Sequence, residues 1–313
     1  MAIDVQDVID EYGDYYLDHG QNQADLLKKI HRPSVTASYF TRRPTAETVL
    51  RNGTVAMERV LQPFQKQFTK AGGLIVSPNT IHLFHQKIDA EEYPDDIADT
   101  WLGFLEGPGI DREAWPFVRW FIEIYLIDQA EEDFELSEVY EGIFVPPTPG
   151  TAGAAGTSMD GIKKLQDDHS SQINTISMGA LPGDDADLCT YIEEFAEQLP
   201  VEERKRMKSI FLNEALELRY RKGKDQKYNT NYAQETSGNT LKYFPNISVV
   251  GLPSMGTAER IWTTMPYNMV APIKKTMFNN IKIEAAKRLV SFMSDWWTVC
   301  AFLRYESVHK NDL

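Results

Sequence analysis

Apolar side chains recur at helical spacing near the N-terminus: Val5, Val8, Ile9, Tyr12, Tyr15 and Tyr16, then Leu26, Leu27 and Ile30. A face that repeats every 3.6 residues predicts a helix or helix pair over Asp4–Ile30, stopped by Pro33. From 33 to 75 the pattern lapses. Thr, Val, Phe and Tyr mix with Arg42, Arg43, Pro44 and Asn52-Gly53, and no apolar stripe lasts long enough to build a core of its own. Asn-Gly between Thr48-Val49-Leu50 and Thr54-Val55-Ala56 is a hairpin signal. Strands are expected between Gly73 and Asp89, where Ile81, Leu83, Phe84 and Ile88 alternate imperfectly. Pro94 then opens a helix with Asp95 and Asp96 in its first turn, where carboxylates suit the helix dipole. Its apolar face is Ile97, Trp101, Leu102 and Leu105.

The broadest stripe follows: Ala114, Phe117, Val118, Phe121, Ile122, Tyr125, Leu126 and Ala130, extended by Phe134 and Val139. It predicts a helix over 111–140, capped by Asp111, of about 40 Å at 1.5 Å per residue. The uncharged Pro/Gly/Ala run Val145–Gly156 marks a boundary. Beyond it, Asp184–Leu199 is amphipathic, Ser209–Leu212 reads as a short strand, and Asn213 caps a helix to Tyr220. Residues 223 to 242 are polar and predict a loop. Ile247–Gly251, Arg260–Thr264 and Ile281–Ala285 read as strands. In the last stretch Trp297, Val299, Ala301, Leu303 and Tyr305 form one apolar face of a half-buried strand. The early strands and this late one are each too few for a sheet, so 76–145 and 275–310 are expected to share one.

Composition narrows the function. The chain has 313 residues, 42% hydrophobic and 25% charged, which is enough for one large or two modest domains with a core needing neither disulfide nor metal. A net charge of −14 argues against gripping nucleic acid through its phosphates. Cys189 and Cys300 are far apart and are expected as free buried thiols. No apolar run approaches the roughly 20 residues of a membrane helix, and the acidic N-terminus does not read as a signal peptide.

Candidate chemistry is sparse. His82 and His85 have metal-like spacing, but on a strand i and i+3 point to opposite faces. The sequence lacks HExxH, CxxC, Walker A and GxGxxG patterns. Gly251-Leu252-Pro253-Ser254-Met255-Gly256 lacks the spacing of a nucleophile elbow. The acidic run Glu131, Glu132, Asp133, Glu135 and Glu138 lies on the predicted helix and reads as a solvated face rather than a calcium loop.

Three stretches, in their order, resemble the major capsid proteins of tailed bacteriophages, the Hong Kong 97-like family. Gln86-Lys87-Ile88-Asp89, Tyr93-Pro94-Asp95-Asp96-Ile97 and Thr100-Trp101-Leu102-Gly103, leading into the helix from Trp115 to Glu138, look like the strand, short helix and spine helix of the peripheral domain. The Gly/Pro/Ala run with Met159-Asp160-Gly161-Ile162-Lys163-Lys164 looks like the crossing into the axial domain. Phe244-Pro245-Asn246-Ile247, Gly251–Met255 and Arg260–Thr264 look like the exit from it, and Ile281–Tyr305 like the returning strands. The resemblance implies an α+β fold in four parts. These are an N-terminal helical arm (1–32), an extended E-loop (33–75), a peripheral domain (76–150 and 271–313, spine helix 111–140) and an axial domain (151–270).

It also implies a non-enzymatic shell subunit without catalytic, cofactor or metal residues. Its expected partners are further copies in pentamers and hexamers, a portal, and scaffold or decoration proteins. The shell would enclose double-stranded DNA without sequence-specific binding, in a virion assembled in the host cytoplasm, away from membranes. Two other readings stand beside it: an encapsulin-like shell, told apart by what the particle contains, and a soluble enzyme, told apart by turnover or a tightly held cofactor. The 33–75 arm is expected to lie on a neighbouring subunit with its tip at Asn52-Gly53. Leu50 and Val55 would be buried there, and Arg42, Arg43 and Arg51 would meet acidic partners.

Overall fold

The computed structural model describes residues 34–93, 120–228, 238–275, 282–286 and 289–313. The predicted N-terminal helices, the helix opening at Pro94, the first turns of the 111–140 helix and the middle of the 223–242 loop lie outside the described residues.

In chain order the strands are β1 (Thr41–Thr45), β2 (Val49–Met57), β3 (Leu74–His82) and β4 (Phe84–Glu92). The spine helix follows as a π-type stretch (Phe121–Leu126), an α-helical stretch, α1 (Ile127–Asp133), and a second π-type stretch (Phe134–Glu138). Then come α2 (Ile162–Asp168), β5 (Asn174–Ile176), α3 (Asp185–Gln198), α4 (Val201–Arg204), β6 (Ser209–Asn213), α5 (Glu214–Tyr228), β7 (Ser248–Leu252) and β8 (Trp262–Thr264). The chain closes with β9 (Met269–Lys274), β10 (Lys282–Ala286), β11 (Leu289–Thr298), β12 (Ala301–Phe302) and β13 (Val308–Asn311).

Among the described residues these strands form three sheets. One runs β1-β9-β11-β10, with β4 also on β11 and β12 on β9. The late strand β11 therefore returns to the early strand β4, antiparallel from Val290 opposite Glu92 to Thr298 opposite Phe84. The second sheet runs β5-β13-β8-β6-β7, and the third is the lone pair β2-β3.

The five-stranded sheet carries α3 and α5. Asp184 caps α3, its carboxylate accepting from the Ala186 and Asp187 N–H groups, and Asn213 caps α5 by accepting the Leu216 N–H at 2.7 Å. Leu188, Ile192 and Phe195 of α3 pack with Leu216 and Tyr220 of α5 over Ile210, Leu212 and Val249. The two helices meet at Gly223, where a Cβ would lie 1.8 Å from the Asp185 carbonyl oxygen, so only glycine permits this approach. A second cluster, containing Phe40, Tyr140, Met159, Phe211, Trp262, Cys300 and Phe302, joins this sheet to the first.

Several local expectations are revised. Asn52 and Gly53 are not a turn. They sit mid-strand in β2, opposite Asn79 and Pro78, because β2 pairs along its whole length with β3. Residues 34–45 belong to the body, not to an arm: Thr36, Ala37 and Phe40 are buried, and β1 runs parallel to β9. The helix after Asn213 passes Tyr220 and reaches Tyr228, through residues expected to be loop. The late strand breaks at Val299–Cys300, where the chain moves from β4 to β9. There Val299, Cys300, Ala301 and Phe302 are all buried, and a segment covered on both faces cannot keep an inward–outward alternation. The C-terminal residues 308–311 pair with β8 and β5 of the five-stranded sheet, apart from the strands just before them.

Candidate assembly surfaces

The β2–β3 ladder pairs nine residues on each strand, from Val49 opposite His82 to Met57 opposite Leu74. At its base, Leu50 packs against a cluster of Ile81, Val270, Val299 and Ala301 in its own chain. Side-chain amides anchor the same end. Asn79 Nδ2 donates to the carbonyls of Phe302 (3.0 Å) and Leu303 (2.9 Å), and Asn52 Nδ2 donates to Leu303 (3.3 Å). The ladder thus leaves the body as a two-stranded ribbon held at one end.

Its far end, 58–73, has no regular structure. The Glu58 N–H donates to the Gly73 carbonyl (3.0 Å) and Gln62 Nε2 to the Thr69 carbonyl (2.7 Å). Gly72 turns the chain at φ +77°, where a Cβ would come within 2.9 Å of Val60 Cγ1. The tip is apolar and uncovered: Leu61 is 80%, Phe64 92% and Phe68 91% exposed, beside Met57 and Leu74. Arg51, Arg59, Lys66 and Lys70 put mostly positive charge on this ribbon of an acidic chain.

The five residues expected on the arm divide. Leu50, Arg51 and Val55 lie on β2, with Arg51 opposite Thr80 and Val55 opposite Val76. Arg42 and Arg43 lie on β1, opposite Ala271 and Pro272 of β9, exposed but away from the ribbon. Periodicity does not single out Phe64 and Phe68. Their signal is two aromatic side chains four residues apart in a segment otherwise built of Gln, Lys and Thr.

The other chemistry-bearing residues are placed in structural roles. His85 stacks on Trp297 at 4.5 Å and lies 4.0 Å from Asp295, while His82 ends β3. Of the acidic run, Glu135 and Glu138 face inward. Glu138 accepts the Gly156 (2.8 Å) and Ser158 (3.0 Å) N–H groups, and the Ile143 N–H donates to the Gly156 carbonyl (2.8 Å). The Pro/Gly/Ala run is therefore a loop folded back on itself and latched to the end of the spine helix. Burial raises both thiols, Cys189 to about 11 and Cys300 to about 12, which keeps them protonated at neutral pH.

Comparison with known proteins gives the fold its class: a long helix on a split sheet, a second sheet with two helices, and a projecting two-stranded ribbon make a tailed-phage capsid fold. The satellite phage P4 procapsid including the size determination (Sid) protein superposes with a TM-score of 0.55 over 92% of this chain and 98% of that chain, at 11% identity. The capsid of an empty GTA particle gives 0.56 over 90% of this chain and 89% of that chain, at 12% identity. The capsid of Myoviridae phage XM1 gives 0.53 over 90% and 91%, at 11% identity. No protein-family model and no curated protein matches the chain.

Proposed function

We propose that this chain is the major capsid protein of a tailed bacteriophage, self-assembling through pentamers and hexamers into an icosahedral or prolate shell around double-stranded DNA. In this reading the six-stranded sheet and spine helix form the peripheral part, the five-stranded sheet with α3 and α5 the axial part, and the β2–β3 ribbon the extended loop. A portal and scaffold or decoration proteins complete the assembly in the host cytoplasm, and the subunit carries out no catalysis.

The observation that carries the reading is the ribbon tip. Fully burying one Phe side chain contributes about 1.5–3 kcal/mol, whereas an exposed ion pair gives about 0–1 kcal/mol. Among the described residues nothing buries Phe64 or Phe68. A neighbouring copy supplies that burial, so apolar contact outweighs charge in seating the ribbon. Electron microscopy of the purified protein at high concentration tests the assignment. Closed particles containing DNA in the native source are expected, and a chain that remains monomeric there and in vitro would overturn it.

A further inference from the structure

Among the described residues, exposed large apolar side chains gather in two places. One is the ribbon tip, with Met57, Val60, Leu61, Phe64, Phe68 and Leu74. The other is the C-terminal end of the spine helix, where Leu136, Ile143 and Val145 stand exposed. Leu136 ends an outward row at four-residue spacing, Asp128, Glu132, Leu136. Ile143 and Val145 flank Phe144, whose ring meets Phe84 at 4.9 Å. The loop that follows is pinned to the same helix end, since Glu138 accepts the Gly156 N–H and a Cβ on Gly156 would lie 3.3 Å from the Ser137 carbonyl. From Gly142 to Met159 the chain carries no charge, and from Ile143 to Ala155 every residue is exposed. A contiguous uncharged surface of this kind is a mark of an interaction site.

The two places carry opposite charge. Between Trp120 and Ile162 there are nine Asp or Glu and no Lys or Arg, whereas between Val49 and His82 there are four Lys or Arg and one Glu. On the spine helix Glu135 and Glu138 face inward, and Lys163 holds Glu141 at 3.3 Å. Asp128, Glu132 and Asp133 are left exposed on the outer face, with Asp133 accepting from Gln129 at 2.9 Å. On the ribbon Arg51, Arg59, Lys66 and Lys70 are exposed, and Lys66 and Lys70 stand two residues beyond Phe64 and Phe68. Both apolar groups stay uncovered within one chain, so the tip does not seat on its own spine helix.

We propose that the spine-helix end and its uncharged loop are the seat for the ribbon tip of a second copy of this chain. Phe64 and Phe68 would pack on Leu136, Ile143, Val145 and the Pro146-Pro147 turn of the loop, with Lys66 and Lys70 beside Asp128 and Glu132. The inference rests on the shell reading above and names the partner surface that the ribbon meets. Nine residue pairs carry the tip roughly 30 Å along the ribbon, far enough to reach past its own body to a neighbour. Copies with a net charge of −14 repel on average. Tip against tip would set lysines and Arg59 face to face, and seat against seat would do the same with carboxylates. Tip against seat joins apolar to apolar and basic to acidic, and such a head-to-tail contact is the kind that closes into rings.

The test uses the full chain. Gln65→Cys and Thr148→Cys place one thiol beside each apolar group, the natural Cys189 and Cys300 being buried, and assembled particles are treated with a short bis-maleimide. The chain carrying both substitutions is expected to give a ladder of covalent multimers on a denaturing gel, and each single variant to stay monomeric. Multimers from either single variant would show tip on tip or seat on seat, and a cross-link closed within one chain would show the tip on its own body. Either result, or particles that yield no cross-link, would overturn the interface while leaving the shell reading intact. Charge exchange gives a second readout, with circular dichroism confirming that each variant folds. Lys66→Glu with Lys70→Glu, and Asp128→Lys with Glu132→Lys, are each expected to lower the assembled fraction about tenfold or more, and the four-site exchange to recover it. A four-site exchange no better than either pair would count against the seat. A natural chain that forms no particles removes the shell reading and the interface together.

Discussion

Thr36, Glu135 and Ser254 come from three distant segments and meet inside the protein. The Thr36 hydroxyl donates to Glu135 Oε1 (2.5 Å), its N–H points to both carboxylate oxygens (3.2 Å each), and its oxygen lies 2.6 Å from Ser254 Oγ. A buried carboxylate that loses a donor is left partly uncompensated, at a cost of about 1–3 kcal/mol. Thr36→Val keeps the shape and removes that donor, so denaturant unfolding should show a loss of this size, and an unchanged midpoint would show that the network carries no weight. His169 stacks on Tyr305 at 3.8 Å, and burial holds its imidazole below the ordinary histidine pKa, with Asp168 opposing and Lys164 adding. The unfolded chain therefore binds this proton more readily than the folded one, so stability falls as pH drops through about 6.5. Melting temperatures at neutral and mildly acid pH should fall less steeply for His169→Gln than for the natural chain.

At the scale of the element, the β2–β3 ribbon is the part that cannot stand alone, because a two-stranded hairpin is marginal in water. Its base is fixed by Leu50, Asn52 and Asn79, and its tip is bare. Amide hydrogen exchange should find residues 58–73 unprotected in free subunits and protected in shells, while 49–52 are protected in both. Equal exchange of the tip in the two states would place it on its own subunit. Replacing Phe64 and Phe68 by Ser should leave the stability of the free subunit within about 0.5 kcal/mol of the natural chain, as exposed sites usually do. The same change should reduce the yield of particles. The spine helix behaves differently: its second π-type stretch is where Glu135 and Glu138 turn inward to meet Thr36 and the 156–158 backbone.

For the molecule as a whole, the C-terminus ties the two sheets together. β12 pairs with β9 of one sheet, and a few residues later β13 pairs with β8 and β5 of the other. Asn311 is fully buried, its Oδ1 accepting the Ile261 N–H at 3.0 Å. Asp312 accepts the Met178 and Gly179 N–H groups at 3.0 Å, and these donors hold its carboxyl below the usual range. Removing residues 308–313 should therefore unfold the five-stranded part rather than trim a tail. Such a chain should lose cooperative thermal unfolding and particle formation together, and a truncated chain that melts like the natural one would refute this.

Much of this architecture is legible in the amino-acid order alone. The amphipathic helix within Asp184–Leu199, the cap at Asn213, the strands near 209–212, 247–251 and 282–285, and the split of one sheet between early and late segments all follow from local periodicity, capping chemistry and the need of lone strands for partners. Asn52-Gly53 misleads because a turn signal is local, while a ladder is decided by the whole partner strand: nine pairs to β3 outweigh one dipeptide preference. The late strand misleads for a related reason, since alternation holds only where one face meets water. The sequence by itself determined several of the helical and extended segments, among them Asp185–Gln198 and Ser209–Asn213, and that no familiar catalytic pattern is present. Only the tertiary structure decided which strands pair, that Arg42 and Arg43 stay with the body, and that Phe64 and Phe68 stand exposed. Those outcomes depend on contacts between residues far apart in the chain, which no local pattern encodes.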